Sequence, residues 1–386
     1  MKRLATALGL WWLRLRVMTA KELVQLSRDP VLLGVLAWFF TADIYLAASG
    51  ISMELRHAAV AVIDHDRSEA SRELIHRFRP PYFRFLGEIE DGREGVRLLD
   101  AGEAMLVLDI PEHFERDLLA GDPVSVQMQV DTSNTVLGTL ATSYAQRIVG
   151  GYGQEWVMHR DKLTESALKA MPHLEDRRRV LYNPNQTEPW FMGISELLTV
   201  VTMLSLMLPA AAAVREKERG TIEQLVVSPL SAFQVLFPKV VAMLLAILTG
   251  TAIALFLVLE PAFHVPIRGS LAFFFAVTAA YVFTVSGLGL FIATLSRNLG
   301  QVTMLVILLI LPMVLLSGAW TPPEAMPAAL RAIMPLSPLS HYIELGYGIL
   351  LKGAGLDVLW PHVAALGALG LALFGFGAWR FRRQFG

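Results

Sequence analysis

Ionisable side chains inside long apolar runs are the residues of this chain best placed to do chemistry. Asp43 falls near the middle of the apolar run Val31–Ile51, and Glu196 falls early in Phe191–Val214. Glu344 shares a helix face with His341 at i,i+3. A charge at the centre of a bilayer costs about 2.5–3.5 kcal/mol on insertion scales. Asp43 should therefore face a bundle interior, a subunit interface or water, or carry a proton. Asp43, Glu196 and Glu344 are the expected lining or gate of a substrate path, weighed against local capping and interfacial placement.

Charge is also concentrated in Arg215-Glu216-Lys217-Glu218-Arg219-Gly220, followed by Thr221-Ile222-Glu223-Gln224-Leu225-Val226. Long apolar runs flank this island, which is too short for a domain and too charged for lipid. Gly220 should break the preceding helix, and Thr221 with Gln224 forms a capping box. A helix over 221–228 follows, stopped before Pro229, with Ile222, Leu225 and Val226 on its apolar face. Two helical turns projecting into water are not stable alone, so this face needs a groove, on a partner or on its own chain.

Familiar catalytic apparatus is missing. The 386 residues contain no cysteine, which excludes disulfides, thiolate metal sites and a Cys nucleophile. No Gly-x-x-x-x-Gly-Lys-Ser/Thr phosphate cradle, His-Glu-x-x-His or Gly-x-Ser-x-Gly occurs. His57, His65, His76 and His113 are scattered and read as surface or core histidines. No cofactor or metal site is expected in the chain. A net charge of −1 offers no electrostatic footprint for nucleic acid.

The elements that carry these residues are membrane spans. The chain is 54% hydrophobic, with the excess gathered in blocks. Six segments reach the roughly 20 apolar residues a bilayer requires: Val31–Ile51, Phe191–Val214, Val240–Leu259, Leu271–Leu295, Val302–Trp320 and Leu359–Trp379. Lys and Arg gather in the N-terminal arm, the charged island, the fourth-to-fifth loop and the tail, which predicts cytoplasmic termini and a cytoplasmic island. Residues 1–30 form an amphipathic arm with Trp11 and Trp12, suited to an interfacial helix. Residues 321–351 hold Pro322, Pro323, Pro327, Pro335 and Pro338, too many for a straight span, so broken re-entrant helices are expected.

Residues 52–189, on the outer side, read as a small α/β domain. Ala58–Ile63, Met105–Ile110 and the alternating Val124–Val130 are strand candidates. Helices are expected over Ser68–Arg79 and from Pro111 to Leu119. Asp131-Thr132-Ser133-Asn134 can cap a stalk helix near Thr135–Ile148. Gly150, Gly151 and Gly153 should loosen the chain before a second stalk, near Gln154–Val180. The fold class is thus a multi-pass α-helical membrane protein, with six transmembrane helices and an inserted α/β extracytoplasmic domain.

The stretch Arg215–Leu225 followed by Val227-Ser228-Pro229 resembles the signature of the membrane subunit of type-two ATP-binding-cassette (ABC) exporters. It is most similar to the branch with a large periplasmic insert, the multidrug-efflux-type permeases of Gram-negative inner membranes. Tyr182-Asn183-Pro184, Leu316-Ser317-Gly318, Met326-Pro327 and Leu351-Lys352-Gly353-Ala354-Gly355 support the resemblance. It implies an inner-membrane permease without its own ATPase activity, whose outer domain is periplasmic. Coupling to a cytoplasmic ABC ATPase would fall on Glu218, Gly220, Thr221, Glu223 and Gln224. Glu216 and Arg219 complete that set, and Leu225 and Val226 supply apolar contact. The ATPase would bind ATP and Mg. A second permease copy or close paralogue, and a periplasmic adaptor with an outer-membrane channel, are the further implied partners, besides membrane lipids. An ion-gradient-driven secondary transporter, supported by Asp43 and Glu196, and a membrane-anchored sensor are the competing classes.

Overall fold

A computed structural model describes residues 2–50, 55, 57–160, 182–183, 187–220, 232–319, 321, 323 and 326–385. The chain divides into two compact units: Met1–Ile51 with Arg179–Gly386, and Ser52–Arg178.

The first unit is helical. Its N-terminal helix, Lys2–Ser27, stops where Asp29 takes over as the N-cap of the next helix. The Asp29 carboxylate accepts from the Leu32 amide at 3.0 Å, and Pro30 occupies the first helical position. Pro is tolerated there because that N–H has no helical partner anyway. Among the described residues, five helices are long and apolar enough to cross a membrane: Pro30–Gly50, Glu188–Glu218, Gln234–Phe263, Leu271–Leu295 and Leu356–Gly377.

The expected span Val302–Trp320 is corrected to a helix of 17 residues, Leu299–Leu315. At 1.5 Å per residue it reaches about 26 Å, at the short end of the lengths that span a hydrocarbon core of about 30 Å. It ends because Leu316–Gly318 turns away. The Ser317 hydroxyl donates to the Val314 carbonyl at 2.7 Å, and Gly318 adopts φ +83°. Beyond the turn, the proline-rich segment forms short helices, Ala328–Ile333 and Pro338–Leu350, joined by one tight turn at Met334–Leu336.

The helix Glu188–Glu218 lies at the centre of this unit, with 17 of its residues buried; Ile44–Gly50, Ala232–Ile253, Leu271–Leu295 and Leu299–Leu315 pack against it. Tyr281 and Tyr342 stack with centroids 3.9 Å apart. Their hydroxyls meet Thr202 at 2.8 Å and Thr278 at 3.0 Å. These bonds satisfy polar atoms that burial would otherwise penalise. Close helix approach rests on glycine: a Cβ on Gly287 would lie 2.5 Å from the Phe374 Cα, the small-residue contact by which membrane helices pack.

The second unit carries a four-stranded sheet in the order β2-β1-β3-β4. The strands are β1 (Ala58–Asp64), β2 (Phe83–Glu88), β3 (Leu106–Ile110) and β4 (Gln127–Val130). β1 pairs in parallel with β2 and β3, and β3 runs antiparallel to β4. Val60, Val62, Leu106 and Leu108 pack on one side with Leu74, Phe114 and Tyr152. Ala61, Ile63 and Val107 pack on the other with Ile89 and Leu98. Both faces of β1 and β3 are covered, so both strands read as continuous apolar runs. β2 and the helix Gly92–Asp100 were not anticipated; β2 buries little besides Phe83, as an edge strand with no clean alternation.

The anticipated break at Gly150–Gly153 is absent, since one helix runs Thr135–Arg160. Tyr152 anchors it there. That side chain is 2% exposed, donates to the Ala70 carbonyl at 2.9 Å and lies under the Arg77 guanidinium. Packing outweighs the roughly 1 kcal/mol per residue that glycine costs a helix. The later part of the second expected stalk, 161–180, falls outside the described residues.

Candidate functional site

The charged island closes the helix Glu188–Glu218, and consecutive side chains leave it towards different neighbours. The Arg215 guanidinium donates to Asp29 at 2.9 Å. The Leu32 amide and this guanidinium together hold the Asp29 carboxyl below its ordinary range. Glu216 accepts from Lys239 at 2.6 Å and faces Lys21 at 3.9 Å. Lys217 donates to the carbonyls of Ala293 and of Ser296, at the C-terminal end of Leu271–Leu295. Glu218 accepts from the Leu299 amide at 3.1 Å, the first residue of Leu299–Leu315. A cation thus meets a helix C-terminus and an anion meets a helix N-terminus, the favourable sense of the helix dipole in both places.

The geometry follows from helical rotation. Successive residues turn by 100°, so a run of four charges points to four directions. Glu216 and Glu218, read from the sequence as coupling residues, are both engaged within this chain. Arg219 is exposed and makes no ion pair among the described residues. Gly220, at φ +67°, terminates the helix in the left-handed conformation that glycine adopts without strain. Thr221, Glu223, Gln224, Leu225 and Val226, with the helix expected over 221–228, lie outside the described residues.

Two participants were missed in the sequence. Lys239 also donates to Glu22 at 2.6 Å. Exposure is 2% for Lys239, 4% for Glu22 and 14% for Glu216. Such a buried triad is tolerable only when its charges are mutually satisfied. The available signal was Leu15, Glu22 and Leu26, spaced i, i+7, i+11 on one buried face of the N-terminal helix.

The acidic residues of the spans separate into two groups. Asp43 lies in a wider π-type turn at Phe39–Asp43 of the first span. Its carboxyl group neighbours that of Glu196 on the second span. Glu344 lies instead on the helix Pro338–Leu350, one turn before Tyr347. The Tyr347 hydroxyl bonds to Ser195, and its ring stacks on Phe191 at 5.0 Å. His341 and His362 meet through their Nδ1 atoms at 3.2 Å, and His341 Nε2 lies 2.9 Å from the Pro335 carbonyl. A carbonyl only accepts, so Nε2 carries a proton, and in neutral His341 the Nδ1 accepts from His362. No group of three or more metal-ligating side chains occurs among the described residues.

Comparison with known proteins bears on what such a bundle does. Residues 30–379 match the family described as ABC-2 family transporter protein. The chain is 33% identical over 366 residues to the Escherichia coli (strain K12) protein named inner membrane transport permease YhhJ, covering 95% of this chain and 96% of that one. It is 30% identical over 377 residues to the E. coli protein named probable multidrug ABC transporter permease YbhR, covering 96% and 99%. A third E. coli relative, named probable multidrug ABC transporter permease YbhS, is 25% identical over 385 residues, covering 97% and 98%. A multi-pass helical chain matched along nearly its whole length in this way belongs to the ABC-2 transporter family.

Proposed function

We propose that this chain is the transmembrane subunit of an exporter in the bacterial inner membrane, driven by a separate cytoplasmic ABC ATPase. The observation that carries the reading is the hub at 215–218, where one helix end is bound to the ends of its neighbours. A push delivered just beyond it, at 221–228, would move the helix ends together, because ion pairs and short hydrogen bonds resist independent sliding. Thr221, Glu223, Gln224, Leu225 and Val226 are the proposed contacts to the ATPase, with Arg219 beside them. Glu216 and Glu218 act in this reading as links that carry the motion inward. The unit 52–178 is proposed to be periplasmic, and two permease chains to pair. A periplasmic adaptor and an outer-membrane channel would receive the substrate.

Asp43 and Glu196 are proposed to line the path, where an acidic pair suits a cationic or amphiphilic substrate. The same pair favours a second reading, transport coupled to proton movement. One experiment separates the two. The chain is co-purified with the neighbouring ATPase, and export is measured with that ATPase intact and with its catalytic carboxylate replaced. Loss of export with the inactive ATPase supports the first reading; export that persists and follows the pH gradient replaces it with the second. Glu223→Ala should leave the complex folded and raise ATP turnover per substrate exported.

A further inference from the structure

We propose that the groove between the N-terminal helix and the first and third spans is a binding site for an anionic phospholipid. A cavity of about 660 Å³ lies there, lined by Leu23, Leu33, Ala37, Phe40, Leu245 and Thr249 among others. That volume falls within the roughly 300–1,000 Å³ typical of small-molecule sites. Its hydroxyls are already committed to their own helices. Ser27 donates to the Val24 carbonyl at 2.9 Å, Thr41 to Ala37 at 2.5 Å and Thr249 to Leu245 at 2.8 Å. The lining therefore offers hydrocarbon rather than donors, and an acyl chain fits that chemistry.

A second cavity of about 760 Å³ meets the first at Val24, which lines both. It is lined by Lys21, Arg28, Arg215 and Arg219 against one carboxylate, Asp29. Asp29 is occupied by Arg215, whose Nε is buried without an acceptor among the described residues. Arg28 and Arg219 are exposed and make no ion pair among the described residues. The cleft thus holds surplus cationic donors, and guanidinium groups match phosphate oxygens in geometry as well as charge. A hydrocarbon slot joined to a cationic cleft selects a molecule with an acyl tail and an anionic head. Two basic residues near such a headgroup, at about 1 kcal/mol each, raise affinity roughly thirtyfold together. The Trp11–Trp12 pair on the same helix, with Trp12 55% exposed, suits headgroup depth.

The test uses the full chain, purified in detergent and titrated with phosphatidylglycerol, with phosphatidylcholine of the same acyl chains, and with inorganic phosphate. Bound lipid is counted by native mass spectrometry. Phosphatidylglycerol should bind at least tenfold more tightly than phosphatidylcholine, and inorganic phosphate should not displace it. R28Q/R219Q alters two exposed side chains and should remove the preference. A37W leaves the charges in place, fills the slot and should lower binding of both lipids several-fold. Equal binding of the two lipids, a preference that survives R28Q/R219Q, displacement by phosphate alone, or undiminished binding in A37W would each overturn the proposal.

Discussion

Lys239 and Glu22 face each other at 2.6 Å with 2% and 4% of their side chains exposed, and Glu216 completes the triad from a third helix. Removing the cation alone would strand Glu22 where water hardly reaches and take from Glu216 its shortest ion pair among the described residues. Lys239→Met should cost about 3–5 kcal/mol, the range for breaking a buried pair. Adding Glu22→Gln and Glu216→Gln should return much of that loss, because the three positions act as a unit. Thermal unfolding of the detergent-solubilised chain measures both; an unchanged midpoint in Lys239→Met would rule the triad out as a structural tie.

On the proposed transport reading, Asp43 and Glu196 act through their neighbouring ionisable carboxyl groups. Asp43→Asn keeps the size and most of the hydrogen bonding but removes the acid. Export should fall at least tenfold while the amount of assembled protein in the membrane is unchanged. Export at the unaltered rate would remove Asp43 from the path.

Helix contact at Gly287 has no room for a side chain, since a Cβ there would lie 2.5 Å from the Phe374 Cα. Gly287→Leu should destabilise the bundle by about 1–3 kcal/mol, as overpacking does. Gly367, on the last span, has nothing within 4 Å of its Cβ position, so Gly367→Leu should be near neutral. Comparable unfolding midpoints for the two variants would refute the close approach.

Asp29 caps the first span and pairs with Arg215 at once. Asp29→Ala should cost about 1 kcal/mol from the cap. Because the folded carboxyl titrates below its ordinary value, its contribution is complete above about pH 3.9 and is lost as the pH falls towards the folded value. The gap in midpoint between native chain and variant should therefore be constant from pH 7 to 5 and close on further acidification. A gap that widens on acidification has the wrong sign for this account.

In the second unit, the Tyr152 hydroxyl donates to the buried Ala70 carbonyl, and burial pushes its pKa up to about 12. Tyr152→Phe should lower stability by about 1 kcal/mol, the net worth of one such bond. The raised value means that the native contribution persists to about pH 10 and declines between 10 and 12. Hydrogen exchange at residues 70–76 reads the change, and unaltered protection there would contradict the anchor.

Much of the helix placement was legible because it depends on local properties. Apolar runs and the Gly220 stop need only the residues nearby, and the strand Ala58–Asp64 announces itself as a nearly unbroken apolar stretch. The failures share a cause as well. Leu299–Leu315 is shorter than its apolar run because a serine hydroxyl and a left-handed glycine turn the chain, a choice composition does not record. Gly150–Gly153 stays helical because Tyr152 packs against residues about 80 positions earlier.

By itself, the order of residues determined that this is a membrane chain, roughly where most of its apolar helices lie, and that a run of charges follows the second span. Only tertiary structure decided what those charges do. Lys239 and Glu22 stand 217 positions apart, and Asp43 reaches Glu196 across more than half of that distance. Charge–charge and hydrogen-bond energies fall away over a few ångströms, so partners are chosen by how helices pack and not by where residues sit along the chain.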